Sequence, residues 1–303
     1  MDQVTRAWYG MHIKCTLLEK NEQGYEDFFC EVMEALHSDN FQLVKAAGQD
    51  GDGKADGYLI PEKCVFQSYA PSSGFQKYKL LKKIEGDFTG AVSKWGDKLT
   101  KWVFVHNGQE GLPKYSLDLI TDLKAKNPKI DIAVWSPTIL RDMALSLPVA
   151  KLVVMFGLAP TQSDMTSLTH EPIKTLLKAM VHNSDHKITD ICPVSVKKLQ
   201  YNELSEDVEA LLTAGRRKEN LVGDLLLKWP DPDYGEDLAQ SFRSKYQNLK
   251  SSGYSPDNIF VELKAFAGGN IDNITAQVSS LAVLSYFFER CDIYDNPPIG
   301  GRA

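Results

Sequence analysis

Asp50, Asp52 and Asp56 fall within seven residues of a glycine-rich stretch, Gly48 to Gly57, and Gln67 and Tyr69 follow on the next short apolar run. Oxygen donors gathered at one point between strands suit a hard divalent cation, which takes carboxylates, carbonyls and water. Two other loop types come close and fail. Gly48-x4-Gly53-Lys54 has P-loop spacing, but Ala55 stands where a Ser or Thr must hold magnesium. Asp50 and Asp52 would also face a phosphate they repel. An EF-hand register beginning at Asp50 puts Ala55 at the glycine position and Pro61 at the closing ligand. The register beginning at Gly48 ends on Leu59, so neither supplies the bidentate glutamate.

The hairpin that must position these groups is legible. Gly57–Ile60 and Cys64–Gln67 read as strands, and Ile60-Pro61-Glu62-Lys63 has proline where a type I turn prefers it. A four-residue turn sets Leu59 opposite Cys64 and therefore Asp56 opposite Gln67, their side chains on one face. Alternation puts Tyr69 on that face too. Asp56 and a backbone carbonyl next to Gln67 can then hold Mg²⁺, with Gln67 orienting ligands or water. Glu26 completes the cluster if the helix carrying it crosses the sheet there. A metal so placed activates water and neutralises a phosphodiester in the transition state.

Helical spacing of Tyr25, Phe28, Phe29, Val32 and Leu36 predicts a helix over about 22–37, and Phe41–Val44 reads as a strand. A lysine-rich helix follows over about 75–95, then strand 101–105, helix 115–126, strand 130–134 and helix 138–147. Residues 151–155 are ambiguous between strand and helix. After Gly157-Leu-Ala-Pro160 the strand signals fade, and helices are expected near 168–182, 203–213, 218–228, 236–250, 256–266 and 274–290. The expected organisation is a mixed-sheet α/β domain over 1–157 and a mainly α-helical domain over 158–303.

The chain of 303 residues is 43% apolar and 24% charged, ordinary for a soluble globular protein. Its net charge of −6 argues against nonspecific coating of nucleic acid but not against a local basic groove. No apolar run reaches membrane-span length, and the first residues do not read as a secretory signal. Five scattered cysteines without a Cys-x-x-Cys predict reduced thiols and a cytoplasmic location.

Gly24-Tyr25-Glu26-Asp-Phe28-Phe29, Gly51-Asp-Gly53-Lys-Ala-Asp56-Gly57 and Val65-Phe66-Gln67 together resemble the Mrr-type branch of the restriction-endonuclease-like, or PD-(D/E)XK, superfamily. The resemblance spans about residues 20–70. It implies a Mg²⁺-dependent (or Mn²⁺-dependent) phosphodiesterase acting on DNA. It makes Asp56 the metal-binding aspartate, Gln67 the Glu/Gln position and Glu26 the helix glutamate. The family lysine two residues beyond Gln67 is replaced by Tyr69, whose phenol cannot supply a positive charge near neutral pH. A lysine of the next helix, Lys77, Lys82 or Lys83, is the expected substitute. Without one, the domain is a degenerate nuclease fold that binds nucleic acid or scaffolds an ATPase complex.

Trp102-Val-Phe-Val-His106-Asn107, Gly157-Leu-Ala-Pro160 and the segment from Leu284 to Tyr294 are similar to proteins of bacterial ABC-three-component systems. That similarity implies an antiphage or conflict effector docked through its helical domain to an ABC-type ATPase and other subunits. Homo-oligomerisation stays open. Plainer readings stand beside these. Asp50, Asp52 and the glycines suffice for a solvated turn, and Tyr69 for packing. The lysines at 77, 79, 82, 83, 94, 98 and 101 either line a phosphate groove or make a solvated face. His106 reads as a structural histidine. His182, His186 and Cys192 have one spacing compatible with zinc but no second cysteine. Trp135-Ser136-Pro137 reads as a strand end and helix cap.

Overall fold

A computed structural model of the chain describes residues 1–44, 53–180, 197–269, 273–290 and 293–295. Its first part alternates helices and strands: α1 (Gln3–Glu19), α2 (Glu22–His37), β1 (Phe41–Leu43), β2 (Gly57–Leu59), β3 (Cys64–Tyr69), α3 (Lys77–Trp95), β4 (Lys101–His106), α4 (Lys114–Lys126), β5 (Asp131–Trp135), α5 (Pro137–Leu145) and α6 (Val149–Phe156). Among the described residues helices alone follow: α7 (Gln162–Ser167), α8 (His170–Met180), α9 (Lys197–Tyr201), α10 (Glu206–Arg216), α11 (Glu219–Leu227), α12 (Tyr234–Ser251), α13 (Pro256–Phe266) and α14 (Ile274–Glu289). The ambiguous stretch 151–155 lies within helix α6.

Two compact units form, Thr16–Lys151 and a sequence-discontinuous one of Met1–Cys15 with Leu152–Ala303. In the first, the sheet runs in the order β1-β2-β3-β4-β5. Pairing is antiparallel from β1 through β3 and parallel from β3 to β5. The two parallel crossovers are α3 and α4, as parallel neighbours require. Strand alternation divides the core. Val65, Trp102, Phe104 and Ile132 meet Leu80, Ile84, Phe88 and Ala91 of α3 and Ile120 and Leu123 of α4. On the opposite face Phe66 packs against Phe29, Phe41 and Trp135, with ring centroids 5.1–5.9 Å apart.

The chain tightens around the future site at Gly57. A Cβ there would lie 2.2 Å from the Phe41 ring, itself wedged against Phe29 and Phe66. Gly57→Ala should therefore cost about 1–3 kcal/mol in a denaturant melt, because the ring has nowhere to retreat.

In the second unit, α14 is apolar on nearly every side and is buried from Gln277 through Ser285. That is the pattern of a central helix. Its polar residues bond inward, Ser285 Oγ donating to the Leu212 carbonyl at 2.9 Å and Gln277 Nε2 to that of Leu158 at 3.1 Å. Helix α1 joins the same unit: Tyr9 Oη donates to the Gly157 carbonyl (3.1 Å) and Lys14 pairs with buried Asp257 at 2.7 Å. Among the described residues, no helix is long and apolar enough to cross a membrane.

Candidate active site

Asp56 precedes β2 and extends its ladder, its N–H donating to the Phe66 carbonyl at 2.8 Å while its own carbonyl accepts from Val44 N at 3.3 Å. Leu59 pairs with Cys64, as the turn length predicts, and Gly57 with Phe66, where the paired register ends; Asp56 then reaches Gln67 through its side chain. Gln67 Nε2 donates to both carboxylate oxygens at 2.9 Å, and Ser68 N–H donates to Oδ2 at 2.5 Å. No cation forms an ion pair with Asp56 among the described residues. Burial pushes its carboxyl up to about 6; the Ser68 N–H opposes this, the Glu26 charge adds to it, and the Lys83 ammonium opposes it.

The other end of the Gln67 amide is the second anomaly. Gln67 is buried, and its Oε1 is enclosed without a donor. A desolvated carboxylate without a paired cation lies next to an amide oxygen without a hydrogen. Mg²⁺ binds through one or two carboxylates and completes its shell with water. Here the Gln67 amide presents its nitrogen to Asp56, so Oε1 would reach a cation shared with Asp56 only with the amide turned over. Among the described residues no three His, Cys, Asp or Glu side chains gather for a metal.

Beside the pair lies a cleft of about 510 Å³. Ser68, Glu26 and Lys83, the residues that set the state of Asp56, all line it, along with Glu22, Tyr69 and Lys79. One wall, from α2, is acidic; the other, from α3, is basic. Ser72 Oγ donates to Glu22 at 3.1 Å, and Gln23 Nε2 donates to Glu26 at 3.1 Å.

Of the lysines expected to replace the missing one, Lys83 faces the cleft. Lys77 lies elsewhere, its ammonium 5.3 Å from the centre of the Tyr115 ring, and Lys82 is exposed. Tyr69 packs, stacked on Phe75 with centroids 6.1 Å apart. His106 is a buried structural residue whose Nδ1 accepts from Gly108 N at 3.1 Å, and burial lowers its imidazole to about 4. Ser136 and Pro137 begin α5. Asp50, Asp52, His182, His186 and Cys192 lie outside the described residues.

Sequence reasoning missed three neighbours. Asp87 is buried and pairs with Lys83 at 2.7 Å and with Lys54 at 3.5 Å. The Lys54 stem crosses Gly90 of α3, where an added Cβ would lie 2.7 Å from it. Trp95 Nε1 donates to the Gly53 carbonyl at 3.0 Å. The signal for Asp87 was present: it shares the helical stripe of Leu80, Ile84 and Ala91, where an acid is out of place.

The chain thus combines an α/β unit, with a carboxylate–amide pair beside an open cleft, and a mainly helical unit. Residues 171–295, the greater part of the helical unit, match the family model for C-terminal domain 10 of the ABC-three component (ABC-3C) systems. No curated protein and no solved structure matches the chain.

Proposed function

We propose that this protein is the Mg²⁺- or Mn²⁺-dependent nuclease effector of an ABC-three-component conflict system, hydrolysing phosphodiester bonds of DNA or RNA. The observation that carries the reading is the Asp56–Gln67 pair, a half-buried carboxylate with no ion-paired cation among the described residues, bonded to Ser68, which lines a cleft with Glu26 and Lys83 in its walls. Asp56 would hold the metal, with Glu26 as a second carboxylate and Gln67, its amide turned over, as a third oxygen donor. A divalent cation bound there supplies charge neutralisation and a more acidic water. Lys83 takes the role that Tyr69 cannot, holding a positive charge toward the phosphate as negative charge develops. Lys79 binds the flanking backbone.

The similarity of residues 171–295 to an ABC-3C C-terminal domain supports the second half of the reading: the helical unit docks onto an ABC-type ATPase and the remaining subunits in the cytoplasm. A second reading is a catalytically retired nuclease fold that binds nucleic acid or scaffolds the complex. The replacement of the strand lysine by Tyr69 favours it.

Plasmid, single-strand and RNA cleavage with Mg²⁺ or Mn²⁺ separates the two, run with and without partner subunits. Cutting that requires metal and disappears in Asp56→Ala supports the nuclease. Binding without cutting under every condition supports the retired fold.

A further inference from the structure

We propose that Asp87 is a positioning residue of this site, holding the Lys83 ammonium at the cleft and tying Lys54, at the end of the acidic loop, to helix α3. The inference rests on the nuclease reading for its catalytic meaning and on the geometry of Asp87 for its substance.

Asp87 is almost fully enclosed, whereas the side chains of Lys83 and Lys54 keep 32% and 48% of their exposure. Burying one carboxylate between two half-solvated lysines is a poor way to stabilise a helix, because the desolvation cost falls on the acid and water screens the attraction. The order is also the weaker one: on a helix the acid works better N-terminal to its base, and here Lys83 precedes Asp87 by four residues. What the arrangement does achieve is direction. A lysine has four rotatable bonds, and a free Lys83 would extend into water. Drawn to within 2.7 Å of a buried carboxylate oxygen, an ion pair outside hydrogen-bond geometry, its ammonium stays in the wall of the cleft that Ser68, the Asp56 donor, also lines.

The second lysine gives the device reach. Gly53 and Lys54 both adopt left-handed backbone, with φ of +64° and +59°, so the chain turns sharply two residues before Asp56. That turn is fastened to α3 at three points: Lys54 on Asp87, the Lys54 stem over Gly90, and the Gly53 carbonyl on Trp95. One carboxylate therefore sets both the lysine facing the metal ligand and the backbone that delivers the ligand.

The test is Asp87→Asn in the full chain, alongside Lys83→Met, the double variant and Asp87→Glu. Two readouts are followed: the ¹⁵Nζ resonance of Lys83 and single-turnover cleavage. The expected result is loss of the slowly exchanging Lys83 signal in Asp87→Asn. Cleavage should fall about 10²-fold in either single variant, and the double should be no worse than either single within about threefold. Asp87→Glu should recover part of both readouts. An unchanged Lys83 signal in Asp87→Asn overturns the proposal, as do additive losses in the double. If the wild type cuts nothing, the nuclease reading fails on its own, while the Lys83 signal still decides whether Asp87 holds the ammonium.

Discussion

Asp56→Asn should make the α/β unit more stable at pH 7–8 while removing its metal-dependent cleavage. The carboxyl is raised from 3.8 to about 6, chiefly by burial. The folded state therefore binds its proton more tightly than the unfolded chain, and stability falls as pH rises through that window. Above about pH 6 the whole deficit is present. A shift of that size corresponds to about 3 kcal/mol. Asparagine avoids it. Its Oδ1 can accept the Ser68 N–H, and with the Gln67 amide turned over its Nδ2 can donate to the otherwise donor-less Oε1. The melting temperature should rise by roughly 5–10 °C at pH 8, and the advantage should vanish near pH 4. Cleavage should fall at least about 10³-fold, since a neutral amide no longer neutralises the cation's charge. Melts at the two pH values, with and without Mn²⁺, check both halves: metal should stabilise the wild type and leave the variant unmoved. A variant less stable at every pH would make Asp56 a structural acceptor.

Much of this site was legible because a hairpin has little freedom. Once Pro61 fixes a four-residue turn, period-2 alternation points Asp56 at Gln67; the paired register ends at Gly57 and Phe66, and Gln67 meets Asp56 through its side chain. The choice among lysines was not legible from the helix boundary alone, since 77, 82 and 83 point in different directions. The apolar phase of Leu80, Ile84 and Phe88 turns Lys82 away from the sheet but does not separate Lys77 from Lys83, and the same phase exposes Asp87 as an acid on the buried side. Strand 101–106 and the helices around it follow from ordinary periodicity. Helix α1 was invisible for the opposite reason. Val4, Ala7, Trp8, Tyr9, Met11 and Ile13 are all buried, so the helix has no polar face to mark its period. Its membership in the unit formed by Leu152–Ala303 depends on tertiary bonds to residues more than a hundred positions away.

That helix supplies the second large expected effect. Trp8 is fully buried, and the Lys264 ammonium, itself enclosed, lies 5.0 Å from the centre of its ring and 3.4 Å from His12 Nε2. Burial lowers the Lys264 ammonium to about 8 and, with the Lys264 charge, the His12 imidazole to about 3, so near neutral pH the cation faces an aromatic surface and an uncharged ring. Trp8→Ala opens a cavity, worth about 3–5 kcal/mol in a core. It also removes a desolvated cation–π contact of about 2 kcal/mol. Together these rival the whole stability of a typical domain, so the helical unit should lose its cooperative melt at 37 °C. Trp8→Phe keeps a ring under the ammonium and should cost less than half as much. Adding Lys264→Met to Trp8→Ala should restore part of the loss, because it removes the stranded charge while keeping most of the volume. If docking resides in the helical unit as proposed, Trp8→Ala should abolish co-purification with the partner subunits while Asp56-dependent cutting persists. Loss of both together would mean that the α/β unit cannot work without the helices.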